Sequence, residues 1–299
     1  RMRLRQVEVF HAVYTTGSMT AAAATLNVSQ PSVSKVLAHA EHQLGYRLFD
    51  RVKGKLFPTP EAHQLFTHVK ALYDDMDRLR HVAANIKATG AGRIRVAGTP
   101  AFGVEVLPKA IATFQEQHPD AVFEIETLHF DEISDALRES RIDIGLAFNP
   151  TMSPGIGHRP LGGGRFVVLA PEQETFGGKA ELTITDLAGF SFIALNSRGP
   201  LGQALADYIA AHDVDLDVVA WSETYQVAKA LVRQGVGVTI ADEITARSGS
   251  MNGIRQFDLH PALTFEVGLL HFDSMPLSVG ASRFAKHLGR VLKGFLTRD

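Results

Sequence analysis

Leu4, Val7, Phe10 and Val13/Tyr14 recur at the spacing of a helix face, and Gly17 stands where a left-handed residue would end that helix. Ser18 can cap a second helix at once, in which Ala21, Ala22, Ala23, Ala24 and Leu26 have side chains small enough for another helix to approach closely. Asn27-Val28 predict a turn, and Ser29 caps a third helix with Pro31 in its first turn, where the missing N–H costs nothing; Gly45 ends it. Val33, Val36, Leu37, Ala40 and Leu44 share one face of this third helix, so Pro31, Ser34, Lys35 and Ala38 look away from it. Two short helices, a tight turn and a third helix with a small, polar, cationic outer start are what a DNA major groove admits. Alternating apolar positions around Lys53-Gly54 then predict a β-hairpin with cations at its tip. A solvated basic turn is the bland source of such a tip; directly behind a helix-turn-helix it reads as a wing.

Thr59 as cap, Pro60 at the first helical position and Glu61 in the first turn predict a long helix over residues 61–89. Ala62, Leu65, Val69, Leu72, Met76, Leu79, Ala83 and Ile86 keep a 3-4 spacing for about four heptads, on the order of 40 Å, which predicts a self-association seam centred on Leu65, Val69, Leu72, Met76 and Leu79. Thr89-Gly90-Ala91-Gly92 reads as a hinge. Beyond it strands (93–98, 122–128, 142–148) alternate with helices (104–117, 133–140), an order that predicts a mainly parallel sheet. The alternation continues through strands 166–170, 192–195, 218–221, 236–241 and 265–271, with helices 201–212, 225–234 and 279–296. In an open parallel sheet the ligand sits beyond the carboxyl ends of the strands, where helix N-termini offer N–H groups. The segments at those ends are Thr99-Pro100-Ala101-Phe102, Leu128-His129-Phe130, Phe148-Asn149, Asn196-Ser197-Arg198-Gly199-Pro200, Glu223-Thr224-Tyr225 and Ala241-Asp242. Ser197 and Arg198 suit an anion. Thr99 and Thr224 are either ligand hydroxyls or helix caps, and Asp242 is either an ammonium partner or, as is commoner, a solvated acid after a strand.

Composition narrows the field. The chain has 299 residues, 45% hydrophobic and 21% charged, enough for two or three domains. No run approaches the roughly 18 apolar residues that span a bilayer, and the start, in which Arg1 before Met2 carries no functional weight, lacks the apolar core of an export signal; a cytoplasmic location is expected. With no cysteine, disulfides, thiolate metal sites and thiol redox sensing are excluded. Residues 1–60 hold eight Lys/Arg against three acids, a net +5, while the remainder carries −7. A basic head on an acidic body is the footprint of a chain that meets a polyanion at one end. The closest histidine groupings, His39/His42 and His63/His68, lack supporting ligands and read as solvated helix faces, so neither a metal nor a cofactor is expected. Gly162-Gly163-Gly164 lacks the Lys-Ser/Thr of a phosphate loop and reads as a flexible crossover; no enzymatic centre is legible.

The run L-R-Q-V-E-V-F-H-A-V, followed by G-S-M-T-A-A-A-A-T-L-N-V-S-Q-P-S-V-S-K-V-L-A-H-A-E-H-Q-L-G-Y-R-L-F-D-R, resembles the DNA-binding domain of LysR-type transcriptional regulators almost end to end. The resemblance implies an α/β chain with a winged helix-turn-helix (residues 1–60), a linker and dimerisation helix (61–89) and a two-lobed α/β effector domain similar to type II periplasmic binding proteins. The effector domain would span 90–299, with lobe I in 90–160 and 264–299, lobe II in 161–263, and crossovers near Pro160 and Leu263. It implies Gln30, Pro31, Ser34 and Lys35 at base edges, Ser29, Ser32, Arg51 and Thr59 on phosphates, and Lys53 at a wing contact. Many members carry Arg where this chain has Lys35, which lacks the bidentate fork for guanine. The effector set expected by position is Thr99, Pro100, Ala101, Phe102, His129, Phe148, Asn149, Ser197, Arg198, Gly199, Thr224, Tyr225 and Asp242. Implied partners are an operator with paired half-sites, a small-molecule effector, a second copy in a homodimer or homotetramer, and RNA polymerase. The opening and the wing R-V-K-G-K-L-F-P-T-P-E-A are similar to the branch of lysine-biosynthesis and opine-catabolism regulators, which implies an amino-acid-like effector. Two rivals remain open: a two-lobed solute-binding protein, which leaves the basic head unexplained, and an architectural DNA-binding protein, which leaves the acidic body idle.

Overall fold

A computed structural model describes residues 2–52, 55–87, 92–196 and 198–297. The chain divides into two compact units, Arg1–Arg80 and His81–Asp299. In the first, α1 (Leu4–Thr16), α2 (Met19–Thr25) and α3 (Gln30–Leu44) pack mutually, and β1 (Phe49–Val52) pairs antiparallel with β2 (Lys55–Pro58) across a two-residue tip. That tip, Lys53-Gly54, lies outside the described residues. Gly17 and Gly45 end α1 and α3 in the left-handed region, and Asn27, at φ 53°, makes the turn between α2 and α3 with the side chain that tolerates it best. Phe10, Val13, Ala22, Val33, Leu37 and Leu48 form the core. Ser18 caps α2 by accepting from the Ala21 N–H, whereas Ser29 occupies the cap position of α3 without a side-chain cap bond. Glu41 fixes the wing: its Oε1 accepts from the N–H groups of Leu48 at 2.8 Å and Phe49 at 3.1 Å.

The long helix α4 (Pro60–Lys87) corrects the uniform seam. Ala62 and Val69 are buried in the head's own core, with Leu65, Phe66 and Tyr73 packed against it. The Tyr14 ring stacks on Phe66 and that of His11 on Tyr73, each at 3.8 Å. Only beyond this does the apolar row open to solvent, Leu72 at 40% and Leu79 at 69% exposure. A strict heptad spacing cannot tell which stretch its own domain has already covered. The side chain of Ile86 and the hinge residues Thr89-Gly90-Ala91 lie outside the described residues.

The second unit begins with β3 (Arg93–Gly98), α5 (Pro100–Gly103), α6 (Val106–Gln115), β4 (Val122–Thr127), α7 (Phe130–Arg138) and β5 (Ile144–Phe148), in which β4, β3 and β5 lie parallel. The helix expected over 104–117 is α6, Val106–Gln115, with Pro108 in its first turn, where the missing N–H costs nothing; the short α5 ahead of it, Pro100–Gly103, was not expected. The expected strand at 166–170 is far longer: β6 runs from Ile156 to Pro171. Its first part pairs antiparallel with β12 (Thr264–Phe272). From Phe166 onward it pairs instead with β10 (Thr239–Asp242) and β11 (Ile254–Leu259), so it passes from one lobe to the other between Arg165 and Phe166, five residues after Pro160. Gly162-Gly163-Gly164 is therefore strand and not a flexible crossover. A Cβ on Gly163 would stand 2.6 Å from the Phe265 carbonyl oxygen and one on Gly164 2.6 Å from the Phe265 ring, which explains the small residue at these two positions. Because β6 and β12 run antiparallel to their neighbours, the sheet is mixed and not mainly parallel.

The second lobe adds β7 (Glu181–Leu182) beside β11, and a parallel pair, β8 (Ser191–Leu195) and β9 (Asp217–Ser222). Helices α8 (Gly199–Ala210) and α9 (Tyr225–Arg233) follow β8 and β9, and α10 (Glu243–Arg247) follows β10. Terminal helix α11 (Val279–Leu296) returns to pack on α6, where His287 bonds Thr113 at 2.8 Å. Beneath the junction of the lobes, aromatic rings touch in series: Phe102 on Phe148 (4.6 Å), Phe148 on Phe265 (5.0 Å), Phe265 on Phe166 (5.9 Å) and Phe166 on Tyr225 (6.3 Å). No helix among the described residues is long and apolar enough to cross a membrane.

Candidate functional site

The outer start of α3 carries the polar face expected of it. Ser29, Gln30, Pro31, Ser32 and Lys35 are exposed and Ser34 is half-buried, while Val33 and Leu37 anchor the opposite side in the core. Arg51 on β1 and Lys55 on β2 share a groove with Gln30, Ser18 and Thr20. Ser18, Thr20 and Lys55 were not singled out from the sequence, although Ser18 and Lys55 were visible there as a cap and a charge. Thr59 does not belong to this surface. It is 7% exposed; its hydroxyl donates to the Arg47 carbonyl at 2.9 Å and accepts from the Ala62 N–H at 3.2 Å, so it ties the wing to α4 instead of facing phosphate.

In the second unit, the carboxyl ends of β3, β4 and β5 in one lobe and of β8 and β9 in the other open onto a single cleft of about 620 Å³, its mouth included. Thr99, Pro100, Ala101, His129, Phe148, Arg198, Gly199, Thr224 and Tyr225 all line it. Leu195, Leu201, Gly202 and Gln226 join them, and no pattern in the sequence marked these four. Ser197 lies outside the described residues. Phe102 is fully buried beneath the cleft under Phe148. Asn149 faces away: its Oδ1 accepts from the Glu266 N–H at 2.8 Å, an inter-strand role.

Thr224 caps α9 by accepting from the Val227 N–H, as one reading of it allowed. Thr99 stands at the cap position of α5 but makes no cap bond, and its buried hydroxyl has no partner. The Tyr225 hydroxyl and Gln226 Oε1 are likewise buried and unpartnered. Arg198, at the start of α8, reaches across to Asp131 of α7 in the other lobe at 3.1 Å. Burial works to raise the Asp131 pKa, but the hydrogen bond from Arg198, a bond to its own backbone N–H and the Arg198 charge together hold it below the usual carboxylate range.

Asp242 is the larger surprise. It is not a solvated acid but fully buried, behind the cleft wall, where its Oδ1 caps α10 from the Thr245 N–H at 2.8 Å and its Oδ2 has no partner. Burial pushes its pKa up to about 6 against the pull of hydrogen bonds from Thr245. Tyr225 is pushed up as well, first by burial and then by the Asp242 charge. Nearby, Lys229 is buried with its Nζ donating to the carbonyls of Ala246 and Ser248, both at 2.8 Å, and its pKa is lowered by burial and by Arg233. Among the described residues no cluster of His, Asp or Glu could hold a metal ion.

Comparison with known proteins meets this geometry. A family model described as "Bacterial regulatory helix-turn-helix protein, lysR family" matches residues 4–63, and one described as "LysR substrate binding domain" matches residues 87–293. The HTH-type transcriptional regulator DgcR of Pseudoalteromonas sp is 41% identical over 291 residues, 97% of this chain and 100% of DgcR. The transcriptional activator protein LysR of Escherichia coli (strain K12) is 30% identical over 298 residues, 99% of this chain and 95% of LysR. In fold, full-length CbnR complexed with its target DNA matches with a TM-score of 0.71 at 20% identity, over 97% of this chain and 100% of CbnR. A winged head with an exposed, cationic third helix and a cleft at converging strand ends are thus joined in one chain that belongs to the LysR family of ligand-responsive, DNA-binding transcriptional regulators.

Proposed function

We propose that the chain acts in the cytoplasm as an operator-binding regulator whose effector is a small, amino-acid-like carboxylate held between the two lobes. One observation carries this reading: side chains from the ends of five strands in both lobes meet at one cleft, where Arg198 supplies a cation and the Thr99 hydroxyl stands buried and unpartnered. Binding there can act on DNA only if it favours one lobe arrangement over another. On the head, Gln30, Pro31, Ser34 and Lys35 read base edges, and Ser29, Ser32 and Arg51 position the head on phosphates, with Lys53 at the wing tip and Lys55 added to that set. Residues 1–60, 61–89 and 90–299 divide as DNA-binding, linker and effector domains. A dimer suits paired half-sites, and its contact is the distal row Leu72, Met76 and Leu79, the part of α4 that the head leaves uncovered; Leu65 and Val69 serve the head's own core. RNA polymerase is the partner through which the bound regulator acts.

The test is a titration of the full chain on its own promoter fragment at several salt concentrations, with and without amino acids that raise its melting temperature. Affinity should fall linearly with log salt and change when such a compound is added. Equal affinity for the promoter and a scrambled duplex in every condition would remove the reading. For the assembly, Leu79→Asp places a charge in the distal row, at a cost of about several kcal/mol if it is buried without a partner, so sedimentation should show monomer. An unaltered dimer would take the row out of the contact.

A further inference from the structure

The buried polar atoms of the cleft are uncharged, and the charged groups, Arg198 with its partner Asp131 and the exposed Glu223, stand toward solvent. At the mouth, Arg198 is half exposed and precedes α8, whose N-terminus adds partial positive charge. At the floor the buried, unpartnered atoms are the Tyr225 hydroxyl and Gln226 Oε1, with the Thr99 hydroxyl beside them. The Nε2 of Gln226 is engaged by Thr245 Oγ1 at 3.3 Å, so what this side chain offers the cleft is its carbonyl oxygen, an acceptor. Thr245 in turn donates its N–H to Asp242 Oδ1, and Asp242 Oδ2 is free of partners. The carboxylate therefore lies one residue behind the floor, and its field is felt at Tyr225. The hydroxyl can donate or accept, so toward an N–H donor it offers its oxygen lone pairs. One amide oxygen and two hydroxyls that can all accept, backed by a buried acid, suit an N–H donor that carries positive charge better than a carboxylate.

We propose that the cleft takes a zwitterion in one orientation, its carboxylate outward against Arg198 and the first turn of α8, its ammonium inward against Gln226 Oε1 and the Tyr225 oxygen, with Asp242 balancing the charge from behind. This rests on the small-carboxylate reading above and adds to it the second charge and its direction. The Arg198–Asp131 pair does not stand in the way. Both side chains are substantially exposed, and such pairs are weak enough for a ligand carboxylate to take Asp131's place on the guanidinium.

The experiment is calorimetric titration of the full chain with the standard amino acids in both enantiomers, each set beside the 2-hydroxy acid and the amine of the same side chain. The 2-hydroxy acid lacks the ammonium and the amine lacks the carboxylate. The tightest amino acid should bind about tenfold or more tightly than its 2-hydroxy acid, because a charge-assisted hydrogen bond and its charge partner are both lost. Gln226→Met and Tyr225→Phe, which keep the volume and the ring contact with Phe166, should weaken the amino acid by about tenfold and leave the 2-hydroxy acid unchanged. Arg198→Ala should weaken both alike. A 2-hydroxy acid that binds as tightly as its amino acid, or equal losses for both ligands in Gln226→Met and Tyr225→Phe, would overturn the orientation while the carboxylate site stands. Binding unaffected by Arg198→Ala, or no binding by any carboxylate in the panel, would overturn the carboxylate site, and the orientation with it.

Discussion

The head and the cleft are polar surfaces built on opposite principles. On the head the functional groups stand in solvent on top of a closed core: Gln30, Lys35 and Arg51 are exposed while Phe10, Val33 and Leu37 lie beneath them. In the cleft, apart from Arg198 near solvent, the functional atoms are buried, and three of them, on Thr99, Tyr225 and Gln226, have no partner among the described residues. A phosphate backbone is a large, flexible, hydrated partner that long cations can meet at the surface. A small effector offers few atoms, so its site must hold polar groups out of water in advance and accept the cost of leaving them unpaired until the ligand arrives. It follows that head variants should divide cleanly into those that unfold it and those that only weaken DNA, whereas in the cleft stability and ligand affinity trade against each other at the same residues.

The largest effect tests the first half of that statement. Phe10→Ala removes a fully buried ring that contacts Tyr14, Phe49 and Phe66, and should cost about 3–5 kcal/mol, enough to unfold the head near room temperature. Circular dichroism melting that shows no early loss of helix would mean that the core can collapse around the gap.

Asp242→Asn tests the second half. The carboxyl pKa is raised in the fold, from the ordinary 3.8 to about 6, so the fold binds the extra proton more tightly than the unfolded chain does. The stability this confers is fully present below pH 3.8 and is lost as pH rises through about 6. At pH 7 the ionised, half-partnered acid therefore costs on the order of 2–3 kcal/mol, and Asn, which can keep the Thr245 cap, should be relieved of much of it. Melting temperatures should show the wild type falling relative to Asp242→Asn between pH 4 and pH 7, and the variant should lose effector affinity in return. Parallel pH profiles would remove the buried charge from the ledger of the cleft.

On the head's surface, Lys35→Ala should cost about 1–3 kcal/mol and relax sequence preference, while Arg51→Ala should weaken all sequences similarly and reduce the salt slope by about one. Both should leave the melting curve in place, unlike Phe10→Ala, since neither side chain enters the core. Anisotropy titrations in which the two variants behave identically would merge the base-reading and phosphate-binding roles that separate them.

This contrast also explains what the sequence disclosed. The head was legible because its chemistry is contiguous: Ser29 to Lys35 lie within two helical turns, and the heptad-spaced core fixes which way they look. The cleft was legible only as positions, since strand ends can be counted off an alternating pattern before anything is known of their neighbours. Burial was not legible. Asp242 reads as a solvated acid until β6 and β10 are paired, and Asn149 reads as a ligand residue until β12 takes its side chain. Val69 looks like the rest of its heptad row until the head's core closes over it. The length of β6 was hidden by Pro160 and the three glycines, which are breakers in isolation and are tolerated here because β12 runs alongside with a bulge between Val267 and Gly268.

The smallest predicted effect has the most informative sign. Asp131 and Arg198 join the lobes through an exposed pair worth about 0.2–1 kcal/mol, so Asp131→Asn should barely move the melting temperature. Its influence on effector affinity depends on which end of the ligand stands at the mouth. If the carboxylate does, Asp131 is its competitor for the guanidinium, and removing that competitor should tighten binding, by up to about fivefold for an interaction of this size. If the ammonium does, Asp131 is its partner, and the same substitution should weaken binding. Arg198→Ala must weaken binding in the first case and is expected to relieve a cationic end in the second, so the two variants should move in opposite directions, and which moves which way reads out the orientation. Calorimetric titration of both with the tightest amino acid measures the pair of signs directly. Loss of affinity in Asp131→Asn together with a gain in Arg198→Ala would turn the ligand around in the cleft and leave the buried acceptors at Tyr225 and Gln226 to some other group.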